Sequence, residues 1–262
     1  MTISWHLGTM GFSYKDWSGV FYPEGIATRD YLAYYSQHFS AVELDSTFYG
    51  TPRPAYVERW AAVVPAGFTF CAKVPRTITH DLRLVEAQEL MAEFVKVMTL
   101  LGDKLGVILI QLPPDMPFEH IHHLAVFLRQ LPPGPRYAVE FRHPSWHATA
   151  TGQLLQNHGI CWASTDYKYL PQRVYVTTDF VYIRWIGRHG QYETKDYERV
   201  DRTERLQDWA ADLEARSDEF GTVYGFFNND YAGHAPATLN RFKQIIGQPT
   251  RDLKPPQQGR LL

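Results

Sequence analysis

Several apolar runs in this chain end abruptly in a charged or amide residue, and those ends are where chemistry can be done. The plainest is YAVEFRHPSW, from Tyr137 to Trp146, in which an apolar run is broken by Glu140, Arg142 and His143 and closed by Pro144 and a tryptophan. Glu43, Lys73, Gln111, Asp166, Arg184 and Asn228 end other runs in the same way, with His234 just beyond the last. Glu43 and Glu140, two carboxylates from different runs, suit general acid–base work. A cation beside one keeps it ionised, while burial of the other raises its pKa. Lys73 falls on the strand next to that of Glu43, and the roughly 5 Å between strands suits an ion pair. Arg142 and Arg184 are candidates to clamp a phosphate or carboxylate by paired hydrogen bonds.

His143 and Asn228 complete the catalytic candidates, and Arg76, Gln111 and His234 join the arginines as substrate-binding candidates. Tyr14, Trp17, Phe48, Tyr49 and Trp146 follow strand ends, where flat rings suit a sugar or a nucleobase. Metal chemistry has weaker support. The histidines are scattered, no zinc spacing such as HExxH occurs, and no metal site or cofactor is assigned. Glu43, Glu140 and Asp166 form the one carboxylate set suited to Mg²⁺ or Mn²⁺.

The elements that must position these residues follow from the pattern of the chain. Strands are predicted at 3–7, 41–44, 68–74, 106–112, 137–141, 160–164, 180–186 and 222–227. Helices are predicted at 28–38, 54–64, 86–101, 118–131, 152–158, 203–217 and 236–247, with a loop over 167–178. The strands are nearly continuous apolar runs, as in a parallel sheet covered on both faces. Eight strand–helix units in about 250 residues predict a single (β/α)8 TIM-type barrel over residues 1–248. No Gly-rich phosphate fingerprint follows the first strand, which disfavours an open doubly wound sheet. In a barrel the residues at the strand ends gather on one face. Arg184 and the helix after His234 would then hold the strand-seven and strand-eight positions, where barrels often bind phosphate.

A net charge of −2 at pH 7 offers no basic field for nucleic acid or a membrane. Cys71 and Cys161 lie inside apolar runs, as core thiols do in a reducing compartment. No apolar run approaches the roughly 20 residues that span a bilayer, and no basic leader precedes Ile3, so a soluble cytoplasmic protein is expected.

The motifs also carry a family likeness. Gly8 to Trp17 (GTMGFSYKDW), Val42 to Tyr49 (VELDSTFY), Phe70 to His80 with Lys73 and Pro75, the Gln111-Leu112-Pro113-Pro114 step, Val139 to Trp146, and Phe227-Asn228-Asn229-Asp230 with Gly233-His234-Ala235 resemble the YecE-like family, the domain of unknown function 72. The resemblance runs to about Gly247. It implies a TIM-type barrel, sometimes described as related to sugar isomerases, and no settled reaction. Where the family commonly has Asn and Ser, this chain has Asp45 and Met10, so no ligand role is carried to position 45. The Pro- and Gln-rich tail, 249–262, ends in Gln258-Gly259-Arg260-Leu261-Leu262, which resembles the short peptide that binds bacterial sliding clamps through a Gln and two terminal apolar residues.

The expectation is an enzyme, isomerase or hydrolase, using general acid–base chemistry on a small sugar-like or anionic substrate. Two alternatives stand beside it. One is a metal-dependent nucleic-acid phosphodiesterase tethered to a sliding clamp by Gln258, Leu261 and Leu262; the other is a non-catalytic small-molecule binder.

Overall fold

The computed structural model describes residues 3–253. Gln258, Leu261 and Leu262, and with them the clamp-binding expectation, lie outside the described residues.

Nine parallel strands form one sheet: β1 (Ser4–Met10), β2 (Ala41–Leu44), β3 (Thr69–Lys73), β4 (Leu105–Gln111), β5 (Arg136–Glu140), β6 (Cys161–Trp162), β7 (Ser164–Asp166), β8 (Phe180–Trp185) and β9 (Thr222–Phe227). Their order is β6-β5-β4-β3-β2-β1-β9-β8-β7. The two ends of that order, β6 and β7, are consecutive pieces of one chain segment broken at Ala163. β6 pairs with β5, and β7 pairs with β8. The predicted sixth strand is therefore a split strand, and through it the sheet comes round to an eight-staved barrel of the TIM type. Helices α1 (Tyr31–Tyr35), α2 (Pro54–Val63), α3 (Gln88–Met98), α4 (Ile121–Arg129), α5 (Thr149–Asn157), α6 (Thr203–Ala215), α7 (Asn229–Ala232) and α8 (Ala235–Ile245) make up the α-helical set.

Most predicted elements are in place, the loop over 167–178 among them, and one helix is much shorter than expected. The helix expected over 28–38 is only α1, entered through a 3₁₀ turn at Thr28–Asp30. The chain after β7 runs without a helix or strand as far as Phe180, so the sixth unit has no covering α-helix.

Two cores follow from the two-residue period of the strands. Outward positions such as Val42, Phe70, Ile108, Val139, Val181 and Trp185 pack with the helices in one large cluster. Inward positions form a second, smaller cluster that fills the barrel: Met10, Ala41, Cys71, Leu109, Ala138, Ala163, Tyr182 and Phe226 are among its members. Both cysteines are buried in this inner cluster as free thiols. No helix among the described residues is long and apolar enough to cross a membrane.

Gly8 shows how tightly the staves fit. A Cβ there would sit 1.9 Å from the Ala41 carbonyl oxygen on β2. Gly8→Ala is expected to lower stability by about 2 kcal/mol or more through overpacking. Gly221→Ala, where a Cβ meets nothing within 4 Å, should shift it by less than about 0.5 kcal/mol. Urea midpoints of the two variants check this, and equal midpoints would disprove it.

Candidate active site at the C-terminal mouth of the barrel

One step of two residues beyond the inner apolar layer leads, strand by strand, to a polar one. Glu43 follows Ala41, Lys73 follows Cys71, Gln111 follows Leu109, Glu140 follows Ala138, Arg184 follows Tyr182 and Asn228 follows Phe226. All strands are parallel, so this layer lies at the C-terminal end of the barrel.

Its centre is the Arg184 guanidinium, 2% exposed. Arg184 Nε and Nη2 donate to Glu43 Oε2 and Oε1 at 2.9 and 2.6 Å, and Nη1 donates to Glu140 Oε2. Tyr182 Oη donates to Glu43 Oε2 at 2.7 Å, and Arg142 Nε donates to Glu140 Oε1. Both carboxylates are fully buried, with every oxygen engaged. Arg184 is thus committed to the protein and cannot clamp a substrate anion as expected. The same holds at the start of α8, where Asn229 Oδ1 accepts from the Ala235 N–H.

The expected Glu43–Lys73 pair does not form. Register explains it: Glu43 lies opposite Cys71, so Lys73 comes level with residue 45 instead. Lys73 Nζ sits 3.3 Å from Asp45 Oδ1 and 3.9 Å from the centre of the Phe48 ring, with the residue 7% exposed. His80 meets the same ring edge-on. Asp45, which family comparison had set aside, is therefore part of the site, and the i, i+2 parity from Glu43 to Asp45 was the signal for it.

The electrostatics split the two glutamates. Burial pushes Glu43 up, with Arg184 only partly opposing it. Burial acts on Glu140 as well, but Arg142 and Arg184 together outweigh it and hold this carboxyl down to about 2. Burial lowers Lys73 despite Asp45. For Asp45, burial is outweighed by Lys73 and Arg184, and the carboxyl is lowered. His80 is driven down to about 4 by burial, Lys73 and Arg76.

Other candidates are drawn elsewhere. Asp166 is one residue out of phase: Thr165, opposite Arg184, holds the inward position, while Asp166 pairs with the outward Trp185. Its carboxylate is held by Arg205, Trp209 Nε1 and Tyr231 Oη at 2.7, 2.9 and 2.8 Å. Glu43, Glu140 and Asp166 therefore do not form a set, and no group of three potential metal ligands occurs among the described residues. Trp17 and Trp146 are not walls. Both are fully buried, their indole N–H groups donating to Asn229 Oδ1 and to the Met116 carbonyl. Tyr49 points the other way, 87% exposed, and Arg76 is ion-paired with Asp81 at 3.2 Å outside the mouth. His143 Nδ1 accepts from the Ser145 N–H in its own turn. His234 is buried against Trp17 with Nδ1 on the Lys195 carbonyl. Tyr14 Oη donates to the Met10 carbonyl at 2.5 Å, within the field of Asp45 and Glu43. Asn228 caps α7 through Oδ1 and approaches Met10 Sδ at 3.6 Å through Nδ2.

The groups that border the opening are thus Lys73 with Asp45, Gln111, and Arg142, whose guanidinium lies over the Tyr167 ring at 4.6 Å. Phe48 was among the rings expected after strand ends, whereas Tyr167 and Tyr182 carried no charge pattern that sequence reasoning could use.

The two glutamates make opposite contributions to acid stability. The folded pKa of Glu140 is below its ordinary 4.5, so its contribution, roughly 3 kcal/mol, is present above pH 4.5 and lost as pH falls towards 2. Glu43 is raised, so it favours the folded state most when protonated, and that contribution fades as pH rises. Urea midpoints between pH 2 and 6 should fall less steeply on acidification for Glu140→Gln than for the unsubstituted chain, and more steeply for Glu43→Gln. Parallel slopes for all three would contradict the split.

The profile of the family described as "Protein of unknown function DUF72" matches residues 6–260. The chain is 35% identical over 129 residues to the UPF0759 protein YecE of Escherichia coli K12, a match covering 49% of this chain and 47% of YecE, about half the relative's length. It is 26% identical over 265 residues to the UPF0759 protein YunF of Bacillus subtilis, covering 90% and 93% of the two chains. Among solved structures, a DUF72 family protein from Thermotoga maritima superposes with a TM-score of 0.81 at 31% identity, covering 94% of this chain and all of the other. A DUF72 family protein from Enterococcus faecalis gives 0.78 at 23% identity, covering 97% and 99%.

Proposed function

The chain belongs to the DUF72 family, and we propose that its barrel mouth is the active site of an enzyme that moves a proton on a small anionic, sugar-like substrate. The observation that carries this is Lys73. It ends β3 at the opening, its ammonium is desolvated between one carboxylate and one ring face, and its pKa is pulled down. A lysine in that state exchanges protons near neutral pH far more readily than an exposed one. Asp45 is its partner, and Arg142 is the cation that meets the substrate's anionic group. Among the described residues no acceptor pairs with the Nη atoms of Arg142, so its guanidinium edge is available for a bidentate contact.

Glu43 and Glu140 support this chemistry from beneath, because their oxygens already serve Arg184, Arg142 and Tyr182. Three acids (Glu43, Asp45, Glu140) meet three bases (Lys73, Arg142, Arg184) here.

A thermal-shift panel of sugar phosphates and sugar acids tests the binding. A ligand at about 100 times its Kd adds roughly 2.7 kcal/mol, and Arg142→Ala should abolish the shift given by the sugar acids. Product assays on the hits test the chemistry: Lys73→Met should keep the shift and lose at least about 100-fold in turnover. In the unsubstituted protein, activity should rise with pH through the lowered Lys73 pKa if the lysine acts as base. Turnover that survives Lys73→Met sinks the assignment, and a hit that yields no product makes the mouth a binding site alone.

A further inference from the structure

A second cavity, about 720 Å³, opens beside the mouth on the far side of Tyr167, between the ends of β7 and β8 and the first turn of α6. Four basic side chains line it: Lys168, Arg188, Arg202 and Arg205. Asp166 is the one acid among the described lining residues, and Arg205 already neutralises it through paired hydrogen bonds. Four cations against one carboxylate leave a formal +3 in a chain whose net charge is −2. That concentration is a local arrangement and not a product of composition.

The cations fall into two kinds. Arg205 and Arg202 are tied to the frame, the first to Asp166 and the second through Nε to the Tyr231 carbonyl at 3.0 Å. Lys168 and Arg188 form no ion pair among the described residues, yet the loop carrying Arg188 is firmly set. Gly187, at φ +72°, packs so closely that a Cβ would lie 2.1 Å from the Asp230 carbonyl oxygen. Gly190 N–H donates to Asp230 Oδ2 at 2.9 Å. Arg188 on this loop and Lys168 on the segment after β7, both without an ion pair, share one lining with the paired Arg202 and Arg205, and the like charges repel one another until an anion enters. The volume falls within the range of small-molecule sites, and a +3 lining matches a doubly charged phosphate better than a single carboxylate.

We propose that this side cavity binds the phosphate group of a small molecule, with Lys168 and Arg188 supplying the charges left unmet in its absence. The assignment stands on the cavity and its charges and does not depend on the chemistry of Lys73.

Isothermal titration with inorganic phosphate, pyrophosphate and simple sugar phosphates, at constant ionic strength, tests it on the full chain. Binding is expected, and Lys168→Ala with Arg188→Ala together should weaken it by about tenfold or more, as the loss of charged hydrogen bonds does. Arg29→Ala, at an exposed arginine outside this cavity, should leave the affinity for inorganic phosphate and pyrophosphate unchanged. Should the double variant fold poorly, Arg188→Gln alone carries the same test. Tighter binding of an ester than of free phosphate identifies an organic phosphate as the occupant, and equal affinity identifies free phosphate; both support the site. No binding to any of these probes, binding untouched by the double substitution, or binding to an oligonucleotide alone overturns it.

Discussion

One buried guanidinium holds the working end of this barrel together. Arg184 comes from β8 yet bonds to carboxylates on β2 and β5, strands that are not its neighbours in the sheet. It spans the lumen like a tie-rod. A charge so deeply buried is tolerable only because its partners saturate it, and removing one partner from such a set leaves an uncompensated ion whose desolvation costs several kcal/mol. The site's other features follow from this commitment. Since Arg184 consumes both glutamates from one side, Arg142 and Tyr182 complete their hydrogen bonding from the others. On the proposed reading proton transfer falls to Lys73, the lysine beside them, which pairs with Asp45 and with neither glutamate.

That division of labour also separates structural charge from functional charge in a layer where both are present. Buried ion pairs are weak evidence for stability and better evidence for fixed geometry. Here the geometry fixed is the floor of the mouth: Glu43 and Glu140 set the position of Arg184, and Glu140 sets that of Arg142. The side groups that reach solvent, Lys73, Asp45 and Arg142, stand on this floor with little freedom of their own. Preorganisation of that kind is what electrostatic catalysis requires, because dipoles already in place need no reorganisation when charge develops.

Most of the architecture was legible from the chain because parallel strands buried on both faces produce apolar runs with abrupt polar ends. The runs at Ala41–Leu44 and Thr222–Phe227 coincide with β2 and β9 to the residue. The site was legible in its membership and not in its pairings. Glu43, Glu140 and Arg184 were all identified, but which meets which depends on stagger between strands, and stagger is set by tertiary closure. The same limitation misplaced Lys73 by one register step. Asp166 was misjudged for a more local reason: counting inward positions from Ala163 puts Thr165 in the lumen and Asp166 outside. The tryptophans misled because an aromatic ring after a strand looks alike in sequence whether it lines a cleft or plugs the space beneath a loop. Trp17 and Trp146 do the second, each with its indole N–H satisfied internally.

The split sixth stave gives the barrel an asymmetry. Two residues hold one side of it and three the other, and no α-helix braces the segment that follows. Each piece is shorter than any other strand of the sheet, so the ring is a hoop with a clasp. Opening free energies in a protein are lowest where the fewest hydrogen bonds and apolar contacts must break together, which makes this clasp the first part of the sheet to breathe. Tyr167 follows directly from it, lining the side cavity and carrying the Arg142 guanidinium over its ring. The tie-rod lies across this very seam: Arg184 is on β8, which pairs with β7, and Glu140 is on β5, which pairs with β6, so their ion pair latches from inside the lumen the two strands that the clasp joins.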